Sequence, residues 1–91
     1  MSVTVRIPTT LRMLTAGAAT VDIDGTNLRE VLDSLESQHV GFKAQILDDD
    51  GELRRFVNVF VDDDDARFTG GLDTPVPDGA TVSIVPAVAG G

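Results

Sequence analysis

The hydrophobic pattern of this chain changes period along its length, and that change constrains the fold more than any other feature. Val3–Ile7 and Thr20–Ile23 alternate apolar and polar residues, which is the period of a β-strand. The next segment repeats apolar residues at the spacing of one helix face, at Leu28, Val31, Leu32 and Leu35. Alternation returns in Phe56–Val61 and in residues 81–85. The predicted order is therefore strand, strand, helix, strand, strand.

This order predicts an α+β domain of the β-grasp type, a mixed sheet of four to five strands with one main helix packed across it. Asn27 followed by Glu30 is a capping-box pattern that begins the helix, and Gly41 lies where helices commonly stop. The strand after the helix is expected to run parallel to a strand of the first hairpin, through a right-handed connection. Residues 1–86 are predicted to form this domain, and residues 87–91 a flexible C-terminal tail.

Charge and composition narrow the classes of function. The 7 basic and 15 acidic residues give a net charge of −8, which argues against nucleic acid and suits a basic partner surface. Solubility and salt adaptation are alternative reasons for that charge. The sequence has no cysteine, no apolar run long enough to span a membrane and no leader pattern. A monomeric cytoplasmic protein is expected.

Three polar features of the sequence are candidate sites. His39 is expected to lie on the surface near the helix end, because no nucleophile pattern surrounds it. Asp48–Gly51 does not match a calcium loop, since Gly51 at the sixth position would place Ile46 at the first. Asp62–Asp65 is expected to be a solvated loop, with a docking patch for a basic partner as the alternative. No catalytic, metal-binding or cofactor-binding group is predicted.

The last residues of the sequence, Gly90 and Gly91, carry the strongest functional signal. Glycine loses the most backbone entropy when it is fixed, so a tail of this kind suits threading into a narrow slot on another protein. A frayed terminus is the alternative. The group expected to react is the α-carboxylate of Gly91, which an ATP-using partner could adenylate and a sulfur donor convert to a thiocarboxylate. Water would have to be excluded from the adenylate.

Asp78–Gly91 resembles the turn, last strand, proline and terminal diglycine of the ubiquitin-like sulfur carriers, the ThiS and MoaD family. Phe56–Asp62 is similar to the third strand of that family, and Leu11–Leu14 to the segment after its first strand. Many MoaD-type tails carry Pro-Pro, whereas this chain has Pro86-Ala87, which favours the CysO type over a molybdopterin carrier.

The resemblance implies a protein co-substrate and not an enzyme. An E1-like enzyme would use ATP to load sulfur on Gly91, and a sulfur-accepting synthase, cysteine synthase-like or other, would consume it. In CysO-type systems a zinc metalloprotease trims the product from the tail. The residues implied to thread the partners are Pro86, Ala87, Val88, Ala89, Gly90 and Gly91.

Alternation within Phe56–Val61 also predicts a docking face. Val57, Val59 and Val61 should face the helix, as should Val82 and Ile84 of the last strand. The opposite face would then show solvent an apolar patch of Phe56, Phe60 and Val85 beside the tail.

Alternative functions remain open at this point. One is a ubiquitin-like modifier, joined through Gly91 to lysines of target proteins. Others are a molybdopterin or thiamin sulfur carrier, and a plain interaction domain whose terminus has no role.

Overall fold

The computed structural model describes residues 2–86 as a five-stranded sheet with one long helix packed against it. The strands are β1 (Ser2–Arg6), β2 (Thr20–Asp24), β3 (Val57–Val61), β4 (Asp64–Asp65) and β5 (Thr81–Pro86). The helices are α1 (Leu28–Gln38) and the short α2 (Phe42–Ile46). Three 3₁₀ helices cover Thr9–Thr15, Ala66–Phe68 and Gly71–Asp73. The predicted tail residues Ala87, Val88, Ala89, Gly90 and Gly91 lie outside the described residues.

The strands form one mixed sheet in the order β2-β1-β5-β3-β4. β1 and β2 are the predicted antiparallel hairpin, with Val3 opposite Ile23. The parallel pair is β1 with β5, with Val5 opposite Val82, while β3 is antiparallel to β5. β3 therefore has the direction of β2, as expected, but the two strands are not neighbours. The β-grasp fold is confirmed, and its parallel pairing is made by the last strand.

Helix α1 begins and packs as its sequence predicts. The Asn27 side chain accepts a hydrogen bond from the backbone N–H of Glu30 at 2.8 Å. Glu30 does not reach back to Asn27 but accepts from the N–H and hydroxyl of Thr26, at 2.9 and 2.8 Å. These bonds from Thr26 lower the pKa of the Glu30 carboxyl. The predicted apolar face of α1 is fully buried: Leu28, Val31, Leu32 and Leu35.

The predicted orientation of the central strands is also correct. Val59 and Val61 of β3 are buried, as are Val82 and Ile84 of β5. Val57 is partly buried and packs against the same core. The inner face of the sheet and the apolar face of α1 therefore share one core, which also takes in Phe42 and Ile46 of α2.

Side-chain bonds to the backbone hold the segment that follows α1. The Glu36 carboxylate accepts from the N–H groups of Gly41 and Lys43, with 2.8 Å to the Lys43 nitrogen. These bonds, from Lys43 first and then Gly41, lower the pKa of Glu36. Gly41 has a φ of 115°, which a residue with a Cβ rarely adopts. Glu36 thus positions the start of α2, an element that the sequence pattern did not predict.

Asp62–Asp65 differs from the predicted loop. Asp64 and Asp65 pair with Val61 and Phe60 as the edge strand β4. The reversal occurs at Asp62, whose φ is 54° and whose carboxylate accepts the N–H of Thr81 at 3.0 Å. The aspartates therefore build the turn and the edge, while most of them stay exposed. No helix within residues 2–86 has the length and apolar character needed to cross a bilayer.

Candidate functional site

The candidate site is the end of the sheet from which the tail leaves. β5 is the central strand, and its last residue, Pro86, lies opposite Val57 of β3. Beyond Ser83, β5 pairs with β3 alone, because its register with β1 ends at Arg6 opposite Ser83. The predicted tail therefore begins at a strand end that is anchored on one side only.

One depression at this end lies on the outer face of the sheet. We call it the sheet-face groove; it has a volume of about 740 Å³ and includes Arg6, Phe60, Ser83, Val85 and Pro86. Phe60 lies directly opposite Ser83, so Val85 is its diagonal neighbour two residues further along β5. Phe60 is half-buried and Val85 is 42% exposed. The two predicted docking residues on these strands are therefore brought together in the groove that includes Pro86.

Phe56 does not lie on that face, which corrects the expectation of a single patch with Phe60 and Val85. β3 begins at Val57, so the alternation of the strand does not extend to Phe56. Phe56 is 61% exposed and lines a different depression, the Phe56 groove, of about 540 Å³. That groove is lined by Thr10, Leu11, Ala44, Gln45, Arg54, Phe56, Val57, Ile84 and Pro86. The two grooves meet at Ile84 and Pro86.

Arginines surround the start of the tail in an otherwise acidic chain. Arg6 and Arg12 line the sheet-face groove together with Asp62 and Asp63. The Nε of Arg12 donates to the carbonyl of Ile7 at 3.1 Å, which fixes the side chain against the loop after β1. Arg54 lines the Phe56 groove. The sheet-face groove therefore offers charges of both signs to a partner.

His39 and Asp48, which are candidate site residues in the sequence, have structural roles. His39 lies at the C-terminal cap of α1, where its N–H donates to the carbonyl of Leu35 and its ring meets the edge of Phe42. Asp48 accepts from the N–H groups of Asp50 and Glu52 and so closes a turn. Across residues 2–86, no three His, Cys, Asp or Glu side chains come together in a way that could hold a metal ion.

Sequence reasoning missed the residues of the Phe56 groove that come from elements it did not predict. Leu11 belongs to the first 3₁₀ helix, and Ala44 and Gln45 belong to α2. The only available signal was the pair Phe42 and Ile46, four residues apart, which is one turn of a buried helix. A pair of this kind is too short to distinguish from a loop.

The chain is similar to known proteins over nearly its whole length. Residues 5–91 match the ThiS family. The chain is 47% identical over 93 residues to the sulfur carrier protein CysO of Mycobacterium tuberculosis, covering all of both chains. It is 38% identical over 71 residues to small archaeal modifier protein 3 of Haloferax volcanii, covering 78% of this chain and 75% of that protein.

A solved structure agrees with these sequence relationships. The chain superimposes on a chain in the crystal structure of the Amycolatopsis orientalis BexX/CysO complex with a TM-score of 0.92. The two chains are 49% identical, and the match covers 98% of this chain and 99% of that chain. Family match, full-length identity and fold all agree: this chain belongs to the ThiS family and is a sulfur carrier protein.

Proposed function

We propose that the α-carboxylate of Gly91 carries the sulfur as a thiocarboxylate and that this chain is a co-substrate of partner enzymes, not an enzyme itself. The observation that carries this proposal is the match to the ThiS family, which continues through Gly90 to Gly91. The 91 residues contain no cysteine, so the sulfur has no thiol of this chain to occupy. The chemistry is proposed to occur in the cytoplasm, where ATP is available.

Loading takes place in two displacements. A carboxylate oxygen of Gly91 attacks the α-phosphorus of ATP, and pyrophosphate leaves, which gives an acyl adenylate. A sulfide sulfur then attacks the carbonyl carbon, and AMP leaves with the electron pair of the broken C–O bond. ATP is therefore a substrate of the E1-like partner and needs no site on the carrier.

The position of Pro86 suits this use of the tail. Five residues follow it, and a fully extended chain of five residues spans at most about 18 Å. That reach allows a partner to dock against the sheet end while it holds Gly91 in its own active site. Gly90 and Gly91 have no side chain to widen the slot, which supports protection of the adenylate from water.

Sulfur delivery requires a second enzyme. The thiocarboxylate sulfur forms a bond to an electrophilic carbon of the acceptor, whose leaving group departs. Hydrolysis of the carrier–product link then restores the Gly91 carboxylate, a step suited to a zinc metalloprotease that acts on the tail. The similarity to CysO favours a cysteine synthase-like acceptor. The complex of a 49% identical CysO with BexX supports a partner protein for this chain.

The test is the mass of the C-terminus after reaction with the cognate activating enzyme, ATP and sulfide. The mass should rise by the difference between a sulfur and an oxygen atom. Deletion of Gly91, or one added residue after it, should abolish the gain and leave the circular dichroism spectrum unchanged. Sulfur loading on an extended tail that remains uncleaved would overturn the proposal.

Phe60 and Val85 are proposed to dock the activating enzyme through the sheet-face groove. Their diagonal positions on β3 and β5, in the groove that also includes Pro86, support this role. Phe60→Ala should weaken binding of the activating enzyme by about 1–3 kcal/mol, as for a buried aromatic anchor. Calorimetry on the folded variant checks this value. A variant that mainly unfolds, with unchanged affinity of the folded fraction, would place Phe60 in the core.

A ubiquitin-like modifier is the second candidate. The relationship to small archaeal modifier protein 3 favours it. In that case Gly91 would form an isopeptide bond with lysines of target proteins, and conjugates of higher mass would appear in lysate. A carrier for thiamin or molybdopterin synthesis would load the same way and differ only in its acceptor enzyme.

A further inference from the structure

The Phe56 groove lies in line with the end of β5. Val57 of β3 lies opposite Pro86, the last residue of β5. The two strands are antiparallel, so the residue before Val57 lies just past Pro86 in the direction of the C-terminus. That residue is Phe56, which is 61% exposed and lines the groove. A chain that continues β5 past Pro86 therefore meets Phe56 first.

The backbone before β3 does not continue the sheet beside that chain. The N–H of Val57 donates to the carbonyl of Arg54 at 3.1 Å, which closes a turn. The guanidinium of Arg67 donates to the same carbonyl at 2.9 Å and to the carbonyl of Val57 at 3.0 Å. Side chains, and not a β-ladder, are therefore left to hold whatever lies in the groove. A wall fixed in this way loses little freedom on binding.

The alternation of β5 determines on which side of the sheet the later side chains fall. Val57 packs against the core, so Pro86 opposite it lies on the helix side of the sheet. In an extended chain Val88 falls on that same side, two residues further on, whereas Ala87 and Ala89 fall on the other. Val88 is the largest side chain of residues 87–91. The apolar residues that line the groove on its side are Leu11, Ala44, Phe56 and Val57.

Charge also distinguishes the two grooves. Within residues 2–86, Arg54 is the only charged residue that lines the Phe56 groove. Its Nε donates to the carbonyl of Ala44 at 3.3 Å, which holds the side chain across the groove towards α2. The sheet-face groove instead has two arginines and two aspartates. The α-carboxylate of Gly91 is the only charged group of residues 87–91. The Phe56 groove therefore offers this carboxylate a cation with no competing anion.

We propose that the Phe56 groove binds the C-terminal tail of its own chain, with Val88 against Phe56 and the Gly91 carboxylate beside Arg54. Five extended residues reach at most about 18 Å, and Pro86 and Arg54 line the same groove, so the tail is long enough. A partner enzyme must then displace the tail before it can use the terminus, and its apparent affinity falls by the fraction of free tail. The inference does not depend on the sulfur chemistry, because the unmodified carboxylate already carries the charge.

NMR spectroscopy of the isotope-labelled full chain, without any partner enzyme, tests this docking directly. Nuclear Overhauser effects should connect the methyl protons of Val88 with the ring protons of Phe56. The amide chemical shifts of Gly90 and Gly91 should differ from those of a synthetic peptide of residues 84–91, which has no groove to bind. Both signals should be unchanged when the protein is diluted, because the contact lies within one chain.

Matched variants test the two contacts separately. Phe56→Ala and Arg54→Glu should each move the glycine amide shifts towards the values of the peptide. Phe68→Ala and Arg29→Glu should not, because Phe68 is 83% exposed and neither residue lines either groove. A carboxypeptidase should remove Gly91 about 2- to 10-fold faster from the two groove variants than from wild type, since a docked tail is not available to the protease. Circular dichroism of each variant verifies that the fold is retained.

Glycine amide shifts equal to those of the peptide, with no Overhauser effect between Val88 and Phe56 in wild type, would overturn the proposal and leave the groove free for a partner enzyme. Signals that grow with protein concentration would also overturn it, because the tail of a second copy would then occupy the groove. The Overhauser effect is measured on wild type, so a variant that fails to fold does not remove the test. Failure to load sulfur would count against the proposed function alone and would leave these spectra unchanged.

Discussion

Residues 2–38 and residues 39–80 both contribute to the one buried core, but they differ in how much of each region is regular secondary structure. The first region consists of the β1–β2 hairpin and α1, and its apolar residues meet in a continuous buried core. The second region contains one strand of five residues, short helical turns and a two-residue edge strand. Many of its turns are fixed by a polar side chain bonded to the backbone.

The second region shows how much order such bonds create. Glu36, on α1 of the first region, fixes the start of α2, while Asp48 closes the next turn and Arg67 anchors the segment before β3. The hydroxyl of Thr74, one of the few buried polar residues described, donates to the carbonyl of Gly71 at 2.7 Å. Each bond acts on one turn, whereas each apolar residue of α1 contributes to a core shared by the whole domain. Substitutions at the core residues and at these polar side chains should therefore change the free energy of unfolding by different amounts and with different dependence on pH.

The largest effect is expected in the first region. Leu32 is 1% exposed and lies at the centre of the α1 face. Leu32→Ala should reduce the free energy of unfolding by about 2–5 kcal/mol, because it removes buried methyl groups and leaves a cavity. Urea unfolding measures this loss, and Ser37→Ala on the exposed side of α1 serves as the control. A loss as small as that of the control would show that α1 does not carry the core.

A smaller, pH-dependent effect is expected for Glu36. Its folded pKa is lowered by the N–H groups of Lys43 and Gly41, so its ionised form stabilises the folded chain. That contribution is present above the unfolded pKa of about 4.3 and is lost as the pH falls through the lower folded pKa. Glu36→Gln keeps one acceptor oxygen but no charge. Its deficit at pH 7 should be about 1 kcal/mol.

Urea unfolding of Glu36→Gln and wild type at pH 7 and in acid gives the comparison. The two curves should approach one another as the pH is lowered, because protonated Glu36 no longer differs in charge from Gln. A deficit of constant size at every pH would mean that shape, and not charge, positions α2.

The same difference explains which parts of the fold and site could be predicted from sequence. The face of α1 and the inward residues of β3 and β5 follow from burial, so their periodicity was sufficient. β4 could not be predicted, because Asp64 and Asp65 are poor strand formers that pair only where the edge of β3 is available. The position of Phe56 could not be predicted from alternation, because β3 begins only at Val57 and Phe56 lies before it.

The smallest effect is expected at Lys43, which lies in the second region and is the only lysine of the chain. Its ammonium group pairs with Asp33 on α1, and both side chains are about half exposed. Lys43→Arg keeps the charge and the ion pair, and exposed pairs contribute at most about 1 kcal/mol, so stability should change by less than about 0.5 kcal/mol.

Loading and delivery of sulfur should be unchanged, since a carrier reacts through Gly91 alone. A modifier that links copies of itself through a side chain would need Lys43, and those conjugates would disappear in the variant. The measurement is the rate of both sulfur steps together with a denaturing gel of conjugates. A large loss of sulfur transfer in Lys43→Arg would mean that this lysine contacts a partner, and it would extend the functional surface beyond the two grooves at the start of the tail.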